Sequence, residues 1–355
     1  MDFAIKIYKK FSKKSYRSFL LSGDVGGTNT RLGIFGIKSG KPELLVLFHL
    51  KSRQLGSIGE ALNKAIKYSR LKYKIDITEA SIAAAGPLSA DRTEVNITNS
   101  GLIIRRREIL KKTKLNKLVL LNDFEAVGYG INMLGKKDIK TIKNAKKVAK
   151  APVVLIGAGT GLGKASLIYD NNSSSYIPIP SEAGHMDFPV ENQFEIELVE
   201  YIKKRNRLKD IASFEHLLSG NGISNIYSFL LNRNKSKGKA HSKMIRESGN
   251  SPEVISRFRK SDKICESTFD IFSSIYAKFA RNCALDCLPF GGIYISGKIA
   301  VKNKDMFNKR FIKIFHNNYK LANVLKRMPI YLILDENVGL LGAAYAYCIK
   351  EKKSF

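Results

Sequence analysis

The chain has 355 residues, with 61 Lys or Arg against 31 Asp or Glu, a formal charge of +30. Its length and 44% hydrophobic content describe about two globular domains with a sizeable core and exclude a disordered chain. No apolar run approaches the ~18 residues of a membrane helix, which excludes an integral membrane protein. Four cysteines without a C-x-x-C pair exclude a disulfide scaffold and argue against a zinc–cysteine site. They fit a reducing compartment, so a cytoplasmic location is expected.

In chain order, residues 1–18 (MDFAIKIYKKFSKKSYRS) are basic and nearly acid-free. They lack the apolar stretch and cleavage site of a signal peptide. They read as a frayed or loosely packed extension, with an organellar transit peptide as the alternative. Strand-like runs at 19–25 and 31–37 flank a Gly-rich turn, and 43–50 adds a third strand, making an antiparallel meander. Residues 57–70 have helical periodicity, 81–87 a short buried strand, 115–123 another, and 124–134 a helix.

Residues 135–150 read as a polar, basic connector. Beyond it, 151–163 (APVVLIGAGTGLG) is strand and glycine turn, followed by a second strand at 164–170 (KASLIYD). A long helical stretch is expected over 191–230, a mobile polar insert over 231–252, and helix again over 253–288. Strands follow at 291–300 and 331–337, then a final helix. Both halves run strand, glycine turn, strand, then further strands and helices. This predicts an α/β protein with two similar domains around a cleft. The expected division is a small domain of 19–134 plus 338–355 and a large domain of 135–337.

The +30 charge invites a nucleic-acid reading. The basic clusters at 9–17, 136–150 and 233–246 lack the interleaved aromatics of a single-strand platform. A solvated basic surface that attracts anionic ligands is therefore expected, with neither nucleic acid nor membrane as partner.

Four motifs carry chemistry. In Gly23-Asp24-Val25-Gly26-Gly27-Thr28-Asn29, glycines open backbone N–H groups to an anion, Thr28 and Asn29 add hydrogen bonds, and Asp24 could orient a magnesium-bound water. An ordinary hairpin is the alternative. Gly157-Ala158-Gly159-Thr160-Gly161-Leu162-Gly163 is a stronger phosphate cradle. It fits no dinucleotide fingerprint, and Ala165 stands where a P-loop needs Ser or Thr. Asp123, after Asn122 at a strand end, suits a general base or a helix cap. Glu182-Ala183-Gly184-His185 and Glu215-His216 suit a polyhydroxylated ligand. Cys283 and Cys287, one helical turn apart, read as small buried hydrophobes.

Together, in this order, these motifs resemble the bacterial-type glucokinases of the hexokinase/actin/Hsp70 ATPase superfamily, over about residues 20–347. The resemblance implies two actin-like ATPase (ribonuclease H-like) domains around a central cleft. LSGDVGGTNTRLGIF resembles the first phosphate loop and VLIGAGTGLGKA the second. LNDFEAVGYGI would carry Asp123 as general base and Asn122 as a sugar contact, and SEAGHMDF would give Glu182 and His185. FEHLLSGNGISNIY would place Glu215 on the sugar and Asn221 near the nucleotide. GGIYISGKI would put Gly297 on the adenosine side, with Lys298 where the family carries glycine. Asn99, in Thr98-Asn99-Ser100-Gly101-Leu102, would touch the sugar, with Leu102 where the family carries Trp.

The implied activity is phosphorylation of glucose by ATP with Mg²⁺, in a homodimer. Phosphate would lie against Asp24, Gly26, Gly27, Thr28, Asn29, Gly157, Gly159, Thr160 and Gly161, with no protein group binding the metal directly. Domain closure would exclude water. A kinase for another hexose and a non-catalytic sugar sensor on the same fold are the alternatives.

Overall fold

A computed structural model describes residues 3–27, 29–52, 55–97, 101–209, 211–233, 239–249 and 251–352. The chain forms two compact units. Unit 1 comprises Met1–Lys137, Ile168–Pro180 and Asp335–Phe355, and unit 2 comprises Asp138–Leu167 and Ser181–Leu334. Residues 168–180, expected within the large domain, thus cluster with unit 1.

The sheet of unit 1 contains β1 (Ala4–Ile7), β2 (Ser18–Val25), β3 (Asn29–Lys38), β4 (Lys41–Lys51), β5 (Glu79–Ala84) and β8 (Lys117–Asn122), in the order β1-β4-β3-β2-β5-β8. The expected meander is present: β2, β3 and β4 pair antiparallel. β2, β5 and β8 pair parallel. A separate ribbon pairs β6 (Glu94–Asn96) with β7 (Ile103–Arg105). Ser57 caps α1 (Ile58–Tyr73) by accepting from the Glu60 N–H at 3.2 Å. Ala61, Leu62, Ala65 and Ile66 bury one face of α1. α2 (Arg106–Lys112) leads into β8, and α3 (Asp123–Gly130) leaves it.

The last helix, α12 (Val338–Lys352), lies on α3 and on β2 and β5. A Cβ at Gly342 would stand 1.8 Å from the Ala126 carbonyl oxygen, and one at Gly130 would stand 2.4 Å from that of Val338. Only glycine permits this approach. Ser22 Oγ, buried on β2, donates to the Leu340 carbonyl at 2.8 Å and ties α12 to the sheet.

The N-terminal stretch is not frayed. β1 pairs antiparallel with β4, Ala4 opposite His49. Its aromatics hold it: Phe3 meets Phe48 at 5.3 Å and Phe11 meets Tyr73 at 4.9 Å. The Tyr16 hydroxyl donates to Glu43 at 2.6 Å.

The second sheet has the order β12-β11-β10-β13-β14-β9. Its strands are β9 (Ile139–Lys143), β10 (Val153–Ala158), β11 (Leu162–Asp170), β12 (Ser175–Ser181), β13 (Gly292–Ser296) and β14 (Ile330–Ile333). All six residues of β10 are buried, as a central strand requires. The basic connector therefore contains a strand, because β9 pairs antiparallel with β14.

The helices of unit 2 are α4 (Gln193–Asn206), α5 (Gly220–Arg233), α6 (Lys239–Glu247), α7 (Ser251–Phe258), α8 (Lys263–Cys287), α9 (Lys298–Lys302), α10 (Lys309–His316) and α11 (Ala322–Lys326). Their core holds Phe214, Phe272, Tyr276, Phe279, Phe311 and Phe315, all essentially inaccessible. The helix expected over 191–230 is broken. α4 ends at Arg207 in the left-handed region (φ 54°), and α5 begins at Gly220. The insert expected to be a mobile loop carries α6 and the start of α7, while 234–238 and 250 lie outside the described residues. The His241 ring of α6 stacks on Phe258 at 3.9 Å, and its Nδ1 lies 3.1 Å from the Asp262 carboxylate. Asp262 in turn caps α8 by accepting from the Ile264 and Cys265 N–H groups.

No helix among the described residues is long and apolar enough to cross a membrane. None of the four cysteines forms a disulfide. Burial pushes the Cys265 and Cys283 thiols up to about 12. Iodoacetamide at pH 8 is therefore expected to leave both unlabelled in the folded protein, because the thiolate is the reactive form. Rapid labelling of either residue before unfolding would contradict this packing.

Candidate active site

In unit 1, β2 turns into β3 through Gly26 and Gly27. The Gly26 N–H donates to the Asn29 carbonyl at 3.0 Å. Ser52, past the end of β4, donates to the Gly26 carbonyl at 2.6 Å and lies 2.9 Å from Thr30 Oγ1. Asp24 is ion-paired with Arg31, whose Nη1 also donates to the Glu336 carbonyl at 2.6 Å. Sequence reasoning passed over Arg31, although it lies directly across the strand pair from Asp24. Thr28 and Asn99, both candidate site residues, lie outside the described residues.

At the end of β8 the two readings of Asp123 separate. The cap of α3 is Asn122, whose Oδ1 accepts from the Phe124 N–H at 2.9 Å and the Glu125 N–H at 3.3 Å. Its Nδ2 donates to the Gly86 carbonyl at 3.1 Å. Asp123 is the first helical residue, half-buried, and its Oδ1 accepts from the Phe124 N–H at 2.9 Å. Glu125, which sequence reasoning missed, completes a capping box with Asn122. It sits three residues after the cap, where such a partner is found by spacing.

In unit 2 the second glycine turn links β10 to β11. The Gly159 N–H donates to the Gly161 carbonyl at 2.8 Å, and the Gly220 N–H donates to the Gly159 carbonyl at 2.8 Å. The first turn of α5 is thereby fixed to the turn, with Asn221 exposed beside it. A Cβ at Gly159 would meet nothing within 4 Å. The space above that residue and the exposed Thr160 is open to a group that approaches backbone closely, which fits a phosphate. Gly157 pairs with Ser296 on β13. Gly297, at φ 108°, would place a Cβ 2.7 Å from the Ala158 carbonyl oxygen, so it packs against the strand that feeds the turn. Lys298 follows it, exposed, as the first residue of α9. Lys164, from the rejected P-loop frame, is buried on β11 and pairs with Asp286 at 2.8 Å.

Two short segments bring the remaining candidates together. The Phe188 N–H donates to the Ala212 carbonyl and the Phe214 N–H to the Met186 carbonyl, both at 2.9 Å. Each segment carries a 3₁₀ turn, Ala183–His185 and Phe214–His216. Glu182 and His185 are exposed. Glu215 Oε2 accepts from the Leu162 N–H at 2.8 Å, and Gly184 packs against the Leu162 carbonyl, 2.0 Å from where a Cβ would sit. Glu182, His185 and Glu215 are thus held against the exit of the glycine turn.

An ion cluster with buried Glu195, Lys278 and Arg281 and exposed Glu191 fixes the chain that follows. Lys278 of α8 meets Glu195 at 2.5 Å and Glu191 at 2.9 Å, and Arg281 meets Glu191 at 3.0 Å. Burial pushes the Glu191 carboxyl upward, but Lys278 and Arg281 outweigh it and hold it below its ordinary value. Sequence reasoning missed this cluster because its carboxylates and its cations lie far apart in the chain.

The sequence profile described as Glucokinase matches residues 21–349. A glucokinase of Trichormus variabilis is 32% identical over 343 residues, covering 92% of this chain and 98% of that protein. A glucokinase structure from Balamuthia mandrillaris, in complex with glucose, superposes with a TM-score of 0.78 at 20% identity, covering 94% of each chain. A ROK family glucokinase from Streptomyces griseus, in complex with glucose and AMPPNP, gives 0.62 at 17% identity, covering 92% of this chain and 98% of that one. The structural likenesses establish the actin-like ATPase fold, and the sequence matches establish the relationship: the chain belongs to the glucokinase family.

Proposed function

We propose that this protein is a glucokinase that transfers the γ-phosphoryl group of ATP to the 6-hydroxyl of D-glucose. The O6–P bond forms, the bond from the γ-phosphorus to the bridging oxygen breaks, and ADP leaves. Asp123 takes the O6 proton as attack proceeds. The observation that carries the reading is the position of Asp123. It stands at the end of a buried strand, at the start of α3, with the capping role filled by Asn122.

Glu182, His185 and Glu215 hold sugar hydroxyls, together with Asn122 and Asn99. The Glu215 oxygen that accepts from Leu162 leaves a second carboxylate oxygen for a hydroxyl. Backbone of Gly26, Gly27, Gly157, Gly159 and Gly161 approaches the phosphates, aided by Thr28, Asn29 and Thr160. Asn221 and Gly297 line the nucleotide. Mg²⁺, when bound with ATP, would neutralise phosphate charge. Asp24, ion-paired with Arg31, would orient a water on that ion. Family membership supports a cytoplasmic homodimer.

The test is hexose-dependent ADP release from MgATP across glucose, mannose, fructose and N-acetylglucosamine. Glucose is expected to give the highest kcat/KM, because an analogue lacking a matched hydroxyl leaves the polar groups that would hold it unpaired. Higher kcat/KM on another hexose would reassign the substrate. Sugar binding without turnover on any of the four would replace the kinase reading with a sensor.

A further inference from the structure

Unit 1 contains an ion pair, a buried carboxylate held by a half-buried arginine, that the reaction as described does not use. The Glu125 carboxylate is 6% exposed and accepts from Arg92 Nη2 at 2.6 Å. Its Oε2 also faces the Asn122 N–H at 3.4 Å, which closes the capping box. The turn that carries Asp123 is therefore built from Glu125 as much as from Asn122. Residues two apart on a helix do not face each other. Glu125 turns into the unit, while Asp123 stays half-buried at its surface.

Arg92 is presented with some structural effort. It lies in the left-handed region at φ 58°, which a long side chain seldom adopts. The turn that imposes this is pinned from both sides. The Arg92 N–H donates to the Ser89 carbonyl at 2.8 Å, and the Thr93 N–H to Ser89 Oγ at 3.1 Å and Asp91 Oδ1 at 3.2 Å. The guanidinium then reaches the Leu120 carbonyl at 3.4 Å on β8 as well as Glu125 on α3. It grips both elements that meet at Asp123. The groups that face the pair are Lys350 of α12, itself next to Arg106 of α2, and Tyr129 of α3. Burial, then the Glu125 charge, pushes the Tyr129 hydroxyl up to about 12, so it stays neutral beside the pair.

We infer that the Arg92–Glu125 pair is the positioning device of the phosphoryl-transfer base. It fixes the first turn of α3 so that the Asp123 carboxylate meets the reacting hydroxyl, and it touches no substrate itself. A buried carboxylate is stable there only while paired, so losing Arg92 leaves a charge that displaces the turn. The inference rests on Asp123 being the general base.

The experiment uses the full chain, with steady-state kinetics and glucose affinity by calorimetry. R92Q is expected to lose about 10–100-fold in kcat through misplacement of the base, with glucose Kd within about threefold of wild type. R92K should recover most of kcat. R92Q/E125Q, which removes both charges and keeps two hydrogen-bonding amides, should fall between R92Q and wild type. A folded R92Q with kcat within about twofold of an active wild type overturns this inference alone, as does a loss confined to Kd. A wild-type chain that phosphorylates no hexose overturns the kinase reading and this inference with it. If R92Q does not fold, the double variant decides, since it leaves no unpaired charge. Reduced kcat at unchanged Kd supports the pair, and unchanged kcat overturns it.

Discussion

Asp123→Asn is expected to lower kcat for glucose phosphorylation by about 10²–10⁴-fold while leaving glucose affinity nearly unchanged. The amide has the shape of the carboxylate, and its Oδ1 can still accept from the Phe124 N–H, now met at 2.9 Å. The cap of α3 belongs to Asn122, so the substitution leaves the helix start intact. What disappears is the ability to take a proton. A loss in kcat at constant Kd therefore isolates proton transfer from binding. Turnover near the wild-type rate would remove Asp123 from the mechanism and leave its position at the strand end a matter of architecture.

The second large effect concerns stability. Gly342→Ala is expected to destabilise the protein by about 3 kcal/mol, because the added methyl would lie 1.8 Å from the Ala126 carbonyl oxygen and 2.5 Å from the Gly130 nitrogen. Both atoms are backbone, so neither can rotate away, and α12 must lift from α3. Gly339→Ala on the same helix is the control. Its methyl would meet Val127 at 3.5 Å, an ordinary contact. It should gain about 0.5–1 kcal/mol from the lower flexibility of alanine in the unfolded chain. Urea unfolding measures both. Equal shifts in the two variants would mean that the close packing of α3 on α12 does not govern this unit.

How much of this was legible in the sequence depends on how local the signal was. The glycine turns and their flanking strands announce themselves, because VVLI followed by four glycines in seven residues has few other uses. Asn122 and Asp123 were both visible, but spacing could not say which one caps α3. That depends on backbone geometry at the strand end. β1 was missed although Phe3, Ile5 and Ile7 alternate with Ala4 and Lys6, because lysine-rich flanks made the stretch look like solvated tail. β9, in IKTIK, was hidden in the same way among basic residues. Such strands are set by a waiting sheet edge, which local propensity does not contain.

The insert misled differently. Its composition is polar, yet the contacts of His241 with Phe258 and Asp262 give α6 a seat that composition cannot reveal. Arg92 and Glu125 lie 33 positions apart and belong to no common periodicity. Only the fold pairs them. Thr28 and Asn99 stand outside the described residues, so their roles rest on sequence.

The placement of α12 has a consequence for how the protein is made. Unit 1 needs Val338–Lys352 to cover α3, β2 and β5, yet those elements leave the ribosome long before α12 does. Throughout translation of unit 2, the nascent sheet waits with an apolar face uncovered, while unit 2 has every strand and helix of its own already synthesised when Leu334 emerges. The half of the molecule that carries Asp123 is therefore the half most dependent on chaperone protection until α12 emerges, and a stop codon ahead of Val338 would strand it in that state.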